Sequence, residues 1–166
     1  MKTGIFLSYK GIGANLLHLS YCHQIAKKFG PVSLITLCPN LDKVLKDDPN
    51  FSEVIFLDKF HKKFFDILKL SNFLKKFNFE NIFIFYPSVR HYISSKLAGI
   101  KNIYHYPLFK KKNLHLVEAA KTFTEKSLNI KNCPTETNFE INTSKIEKYK
   151  KNNLKKIILG ISSSGP

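Results

Sequence analysis

Apolar residues occur along this chain in short continuous runs, separated by longer segments in which they recur at helical spacing. The continuous runs predict five short strands, over residues 4–9, 32–37, 54–57, 81–85 and 101–104. The amphipathic segments predict helices over residues 15–29, 41–45, 64–77, 90–97 and 114–128. Strands that are apolar throughout and alternate with helices are typical of a parallel sheet covered on both faces. The pattern therefore predicts an α/β fold, a doubly wound Rossmann-like domain.

The pattern changes after residue 128. Residues 129–153 are polar and predict a linker and a charged helix. Residues 156–161 are a new apolar run that leads into a Ser/Gly-rich turn. Such a run is expected of a terminal strand added to the edge of the sheet, or, as we favour, of a strand that begins a second domain. We expect a first domain over residues 1–128, the linker over residues 129–153, and the start of a truncated second domain over residues 154–166.

The charge adds a class of partner to this picture. The 166 residues contain 27 Lys+Arg against 12 Asp+Glu, a formal net charge of +15, which attracts polyanions. Arg90 is the only arginine, and a chain rich in Lys, Asn, Ile and Phe is also what an AT-rich genome encodes, so both interpretations stay open. Three cysteines without a CxxC pair disfavour a disulfide framework and a zinc site, and they indicate a reducing cytoplasm. No apolar run approaches the roughly 20 residues of a membrane span.

The first strand-to-helix turn contains two glycines, Gly11 and Gly13, as in a dinucleotide-binding turn. Leu16 stands where that motif has its third glycine, and no acidic residue follows the second strand closely. NAD binding is therefore disfavoured, and the sequence predicts no cofactor and no metal.

The order of the motifs resembles the N-terminal half of the heptosyltransferases, glycosyltransferase family 9. The similar segments are the turn Gly13-Ala14-Asn15-Leu16, residues 48–58, Tyr86–Arg90 with Leu97–Ile100, His115–Glu118, and Leu159–Gly165. The resemblance implies a two-domain GT-B fold whose N-terminal half binds the sugar acceptor. It also implies a C-terminal half that binds a nucleotide-sugar such as ADP-heptose, here through Ser162, Ser163, Ser164 and Gly165. The implied acceptor is a phosphorylated or acidic lipopolysaccharide-core sugar, met at the inner face of the cytoplasmic membrane.

The reaction that the resemblance implies inverts the sugar without a metal, after a base takes a proton from the acceptor hydroxyl. In the family this base is an aspartate directly after the glycine of the first turn, and here Ala14 stands there. His18, four residues later, would share its helix face and is the candidate base. With the donor half nearly absent, we expect no transfer by this chain alone.

Ligands of open α/β sheets bind at the carboxyl ends of the strands, and basic residues follow several of the predicted strands there. The predicted acceptor site comprises Lys10, Gly13, Asn15, Lys62, Lys63, Arg90, His91, Lys110, Lys111 and Lys112, with Lys59 and His61 nearby. Charge runs are also common in loops that simply face solvent. The alternative function is a non-catalytic basic module for anionic glycolipid or nucleic acid, although nucleic acid is the disfavoured partner because lysine reads bases poorly.

Overall fold

The computed structural model describes residues 2–59, 65–107 and 115–137. Its centre is a five-stranded parallel sheet in the order β3-β2-β1-β4-β5. This confirms the predicted α/β parallel-sheet class. The strands are β1 Thr3–Leu7, β2 Val32–Thr36, β3 Phe51–Phe56, β4 Asn81–Ile84 and β5 Asn102–His105.

Helices follow each of the first four strands, and one more helix follows β5. They are α1 Ile12–Leu16, α2 Leu19–Phe29, α3 Leu41–Val44, α4 Asp66–Lys75, α5 Val89–Leu97 and α6 Leu116–Leu128. The sequence predicted one helix over residues 15–29, and this is wrong, since two helices meet near His18. The reason is a local competition: the His18 ring Nδ1 lies 2.6 Å from the Ala14 carbonyl, while the His18 amide bonds to Asn15 O in a tighter turn.

The core lies on both faces of the sheet, because successive residues of a strand point to opposite sides. Ile5 and Leu7 pack in the cluster formed with α2 and α6. Phe6, between them, packs with Leu70 and Leu74 of α4 on the other face. All five side chains are buried, which explains why the strands are continuously apolar in sequence.

The end of the described chain returns to the first helices. Tyr21 Oη donates to Val117 O at 3.0 Å and Lys28 Nζ to Leu128 O at 2.8 Å, joining α2 to α6. Residues 129–137 form neither helix nor strand, and Thr137 Oγ1 donates to Leu16 O at 3.3 Å. The rest of the predicted linker and the predicted start of a second domain, residues 138–166, lie outside the described residues. Within the described ranges, no helix is both long enough and apolar enough to cross a bilayer.

Candidate functional site

The strand order places a candidate binding site between the ends of β1 and β4. From β1 the chain moves outward through β2 to β3, and then returns to the other side of β1 to form β4 and β5. The loops after β1 and β4 therefore run in opposite directions, and the crevice between them is where open α/β sheets bind ligands. We call this place the switch-point site. It consists of Ser8–Gly11 after β1, Tyr86–Ser88 after β4, and the first turn of α5.

Two tyrosines form the aromatic part of the switch-point site. Tyr9 is half-buried and donates its hydroxyl to Phe85 O at 3.0 Å. Its ring meets the exposed Tyr86 edge-on, with 6.2 Å between the centroids. Burial, and then the neighbouring Tyr86, raise the pKa of Tyr9 to about 12, so this phenol stays protonated at neutral pH. Tyr9 is thus a fixed support, whereas Tyr86 presents a ring to solvent.

Hydroxyl and imidazole groups tie the two loops together beneath these rings. Ser8 Oγ lies 3.3 Å from His91 Nδ1, a contact that joins the loop after β1 to α5. Ser88 caps α5 by accepting from the His91 amide at 3.3 Å. His91 is buried, and its ring packs on Phe6 with 4.3 Å between centroids. His91 therefore lies at the base of the site and positions Ser8.

Arg90 lies in the first turn of α5, two residues after this capping serine. Its side chain is half-buried, and its Nε is shielded from solvent without a hydrogen-bond partner among the described residues. Buried donors are normally paired, since leaving one unpaired costs free energy. An arginine at the carboxyl edge of the sheet is suited to a phosphate or carboxylate ligand, because its planar guanidinium can donate two hydrogen bonds to such a group.

Asn15 holds the loop after β1 in place from within the core. It is fully buried, and its amide nitrogen donates to Tyr9 O at 3.0 Å and to Gly11 O at 2.7 Å. Its amide oxygen accepts from the Thr36 hydroxyl at 2.9 Å. Both amide hydrogens are therefore used inside the protein, where they brace the loop after β1 against the end of β2. Of the other two candidates on this turn, Lys10 and Gly13 are both exposed.

His18, the candidate base, lies in the core. Its ring is fully buried, stacks on Tyr9 with 4.8 Å between centroids, and meets Phe85 edge-on at 5.3 Å. Burial lowers the pKa of His18, and the Ala14 carbonyl opposes this only in part. A base must come within hydrogen-bond reach of the hydroxyl it deprotonates. The catalytic role of His18 stays a prediction, which requires its ring to become accessible.

The structure brings part of the predicted acceptor site together. Lys10 follows β1, Arg90 and His91 lie in the first turn of α5 after β4, and the Ser8–His91 contact joins these two segments. Lys59 is exposed after β3. The remaining predicted residues lie outside the described ranges: His61, Lys62, Lys63, Lys110–Lys112 and Ser162–Gly165. Sequence reasoning missed Ser8, Tyr9, Tyr86 and Ser88, although their position directly after β1 and β4 was a usable signal. No group of side chains in the described part of the chain could hold a metal ion.

Comparison with known proteins finds similar folds among solved structures. No family model and no curated protein matches the chain. Two solved structures match it in fold: the ADP-heptose LPS heptosyltransferase II of E. coli and a family 9 glycosyl transferase from Veillonella parvula DSM 2008. Each has a TM-score of 0.54 and 12% identity over 92% of this chain. The chain spans only about half of their length, 52% and 50%. The resemblance to the N-terminal half of the heptosyltransferase family, predicted from the motifs, is thus confirmed at the level of the fold.

Proposed function

We propose that this chain is the acceptor-binding half of an inverting glycosyltransferase that resembles the ADP-heptose:lipopolysaccharide heptosyltransferases. The acceptor is a phosphorylated or acidic sugar of the lipopolysaccharide-core type, bound at the switch-point site. The nucleotide-sugar donor, of the ADP-heptose type, belongs to a second domain that pairs with this one. The reaction takes place in the cytoplasm, at the inner face of the membrane.

The observation that most supports this proposal is the mixture of groups at the switch-point site. Tyr86 offers an exposed ring, on which the apolar face of a sugar can stack. Ser8 and Ser88 supply hydroxyls in the adjoining loops, and Arg90 lies in the first turn of α5, two residues after Ser88. An apolar surface with a small number of polar groups around it is typical of small-molecule sites. The arginine adds selectivity for an anionic ligand.

In this proposal the described residues bind and orient the acceptor and do not carry out the chemical step. Transfer requires a base that takes the proton of the attacking hydroxyl. Ala14 has no group that could do so, and the His18 ring is fully buried. We therefore propose that this half binds its acceptor alone but transfers no sugar alone.

Calorimetry with a soluble, phosphorylated inner-core oligosaccharide tests the proposal. Replacing Arg90 by Ala should weaken binding by about 1.5–3 kcal/mol, the range for hydrogen bonds to charged groups, or roughly 10- to 150-fold. Added salt should weaken binding of the unmodified chain by screening. The matched control is Lys27→Ala, which removes an exposed cation from the last turn of α2, at the opposite edge of the sheet, and should leave binding unchanged.

The alternative, a basic module without sugar specificity, predicts a different result. The same chain would then bind duplex DNA as tightly as the oligosaccharide at matched charge and salt, and Arg90→Ala would weaken neither ligand. A dephosphorylated oligosaccharide adds a second arm. If the dephosphorylated oligosaccharide binds as tightly as the phosphorylated one, the phosphate makes no contact that contributes to affinity, and the acceptor assignment is wrong.

A further inference from the structure

Helix α5 buries polar side chains and exposes apolar ones, the reverse of what is expected of a helix that packs on a sheet. Its buried face holds polar side chains, among them Ser94, whose Oγ donates to Ile67 O of α4 at 3.1 Å. Its apolar residues Val89, Ile93 and Leu97 are exposed. These three stand at positions i, i+4 and i+8, so they form one stripe along the outside of the helix.

The neighbouring helix α4, to which Ser94 is hydrogen-bonded, also exposes apolar side chains. Phe65, its N-cap residue, is 85% exposed and Leu68, in its first turn, is 66% exposed. We call Phe65, Leu68, Val89, Ile93 and Leu97 the α4–α5 apolar surface. On the other face of the sheet, α2 and α6 expose no large apolar side chain in the described part of the chain. Ile12, Leu17 and Val44 on that side are 40–46% exposed, but Phe65 and Leu68 are the most exposed large apolar residues in the described part of the chain. Exposed apolar patches of this kind mark sites of interaction.

The charge of the same layer indicates the partner. Residues 65–101 contain six cations and two acids, and every lysine among them is exposed. The cations are Lys69, Lys75, Lys76, Arg90, Lys96 and Lys101, and the acids are Asp66 and Glu80. An apolar strip among lysines has the composition of protein surfaces that lie on anionic lipid, where apolar side chains enter the boundary between headgroups and acyl chains. A second copy of this chain fits less well, because pairing the surface with itself would bring like charges together.

We propose that the α4–α5 apolar surface docks the protein on a bilayer that contains anionic lipid. Val89, at one end of the stripe, directly follows Ser88 of the switch-point site. Docking through this surface therefore holds the switch-point site close to the plane of the headgroups, within reach of a sugar attached to lipid. The docking itself needs no sugar, so it stands or fails independently of the proposed function.

Vesicle sedimentation with the full chain tests the docking. The chain should bind vesicles of phosphatidylglycerol and phosphatidylcholine and should bind pure phosphatidylcholine far more weakly. The double replacement of Ile93 and Leu97 by Ser should weaken binding to the anionic vesicles at least about tenfold, given the area these side chains would bury. The matched control is Val44→Ser, which removes a similarly exposed apolar side chain from α3 and should leave binding unchanged.

A charge variant provides a second, independent measurement. Lys96→Gln should weaken binding to anionic vesicles about fivefold, as expected for one cation near an anionic surface, while Lys27→Gln on α2 should not. Because both Lys96→Gln and its control keep the apolar residues, this arm stays informative even if the double serine variant folds poorly. Soluble oligosaccharide should bind the double variant as it binds the unmodified chain, which separates this proposal from the acceptor site.

Two outcomes would overturn the docking proposal. The first is unchanged vesicle binding by the double variant and by Lys96→Gln, or an equal loss in both controls. The second is a concentration-dependent dimer of the unmodified chain that the double serine variant abolishes, which would show that a second copy covers the surface instead.

Discussion

The buried amide of Asn15 should be one of the largest single contributions to the stability of this fold. Its three hydrogen bonds join the loop after β1 to the end of β2, through Tyr9 O, Gly11 O and the Thr36 hydroxyl. Replacing Asn15 by Ala removes all three and leaves a small void. Tyr9 O then loses this partner, whereas Gly11 O keeps its bond from the Asn15 backbone amide at 3.4 Å.

The magnitude follows from the number of bonds. Each hydrogen bond contributes about 1 kcal/mol net, and each buried group left unpaired costs about 1–3 kcal/mol, so we expect a loss of about 3–5 kcal/mol. That is a large part of the roughly 5–15 kcal/mol that stabilises a domain. Asn15→Asp is the matched control for volume, because it keeps the shape of the side chain. It has no hydrogen to donate when ionised, and it faces two carbonyl oxygens, so it should destabilise at least as much as Ala at neutral pH.

Urea unfolding followed by circular dichroism measures these changes in the free energy of unfolding. Thr36→Val completes a double-mutant cycle, in which the coupling between Asn15 and Thr36 should be about 1 kcal/mol. If Asn15→Asp lies within about 0.5 kcal/mol of the unmodified chain, the range of ordinary surface changes, the amide does not brace the loop and the reasoning is refuted.

Two further predictions concern other buried contacts. Burial alone would raise the pKa of Asp48, but hydrogen bonds, first that from His23 Nε2 at 2.8 Å, outweigh it and hold the pKa below its usual value. The ionised carboxylate therefore stabilises the fold above pH about 4, and this contribution is lost as the pH falls further. The urea midpoint of unfolding should therefore change less with pH below about 4 in Asp48→Asn than in the unmodified chain. The same dependence of the midpoint on pH in both proteins would contradict this. Gly4→Ala should cost about 1–3 kcal/mol, because its Cβ would lie 3.2 Å from the Phe79 ring. Gly13→Ala meets nothing within 4 Å in a helix and should be neutral or stabilise by up to about 1 kcal/mol; equal thermal shifts in the two variants would contradict the packing argument.

The fold could be predicted because its strands are buried on both faces, and Ile5, Phe6 and Leu7 are apolar for that reason. The break between α1 and α2 could not, because it depends on the direction in which the His18 ring points. That direction is set by packing on Tyr9, which lies on a different element. Hydrophobic periodicity shows only that apolar residues recur at helical spacing over residues 15–29, and this spacing is the same whether the segment forms one helix or two.

The candidate site was predictable in position but less so in its contacts. Residues that follow β1 and β4 were expected at the carboxyl edge of the sheet, and the Ser8–His91 contact joins these two segments, whereas a shared ligand of Lys10 and Arg90 stays a prediction. That the Asn15 amide turns inward depends on Thr36, which is distant in sequence. For α5, the apolar spacing predicts a helix but would assign its buried face to Ile93 rather than to Ser94. The serine is buried because a carbonyl of α4 accepts its hydroxyl, a partner that only the folded chain supplies.

The central position of β1 has a consequence for how the chain folds. β1 is synthesised before the other described strands, and β2, its near neighbour in sequence, pairs with it along one side. The partner on its other side is β4, whose Asn81 pairs with Thr3. Pairing β1 with β4 closes the loop between Thr3 and Asn81, and this closure costs chain entropy before the contacts between the two strands stabilise it. Such long-range pairings therefore form late in folding. On the ribosome, β1 must therefore keep one unpaired edge until β4 emerges, and during that interval the nascent sheet is open to pairing with other chains.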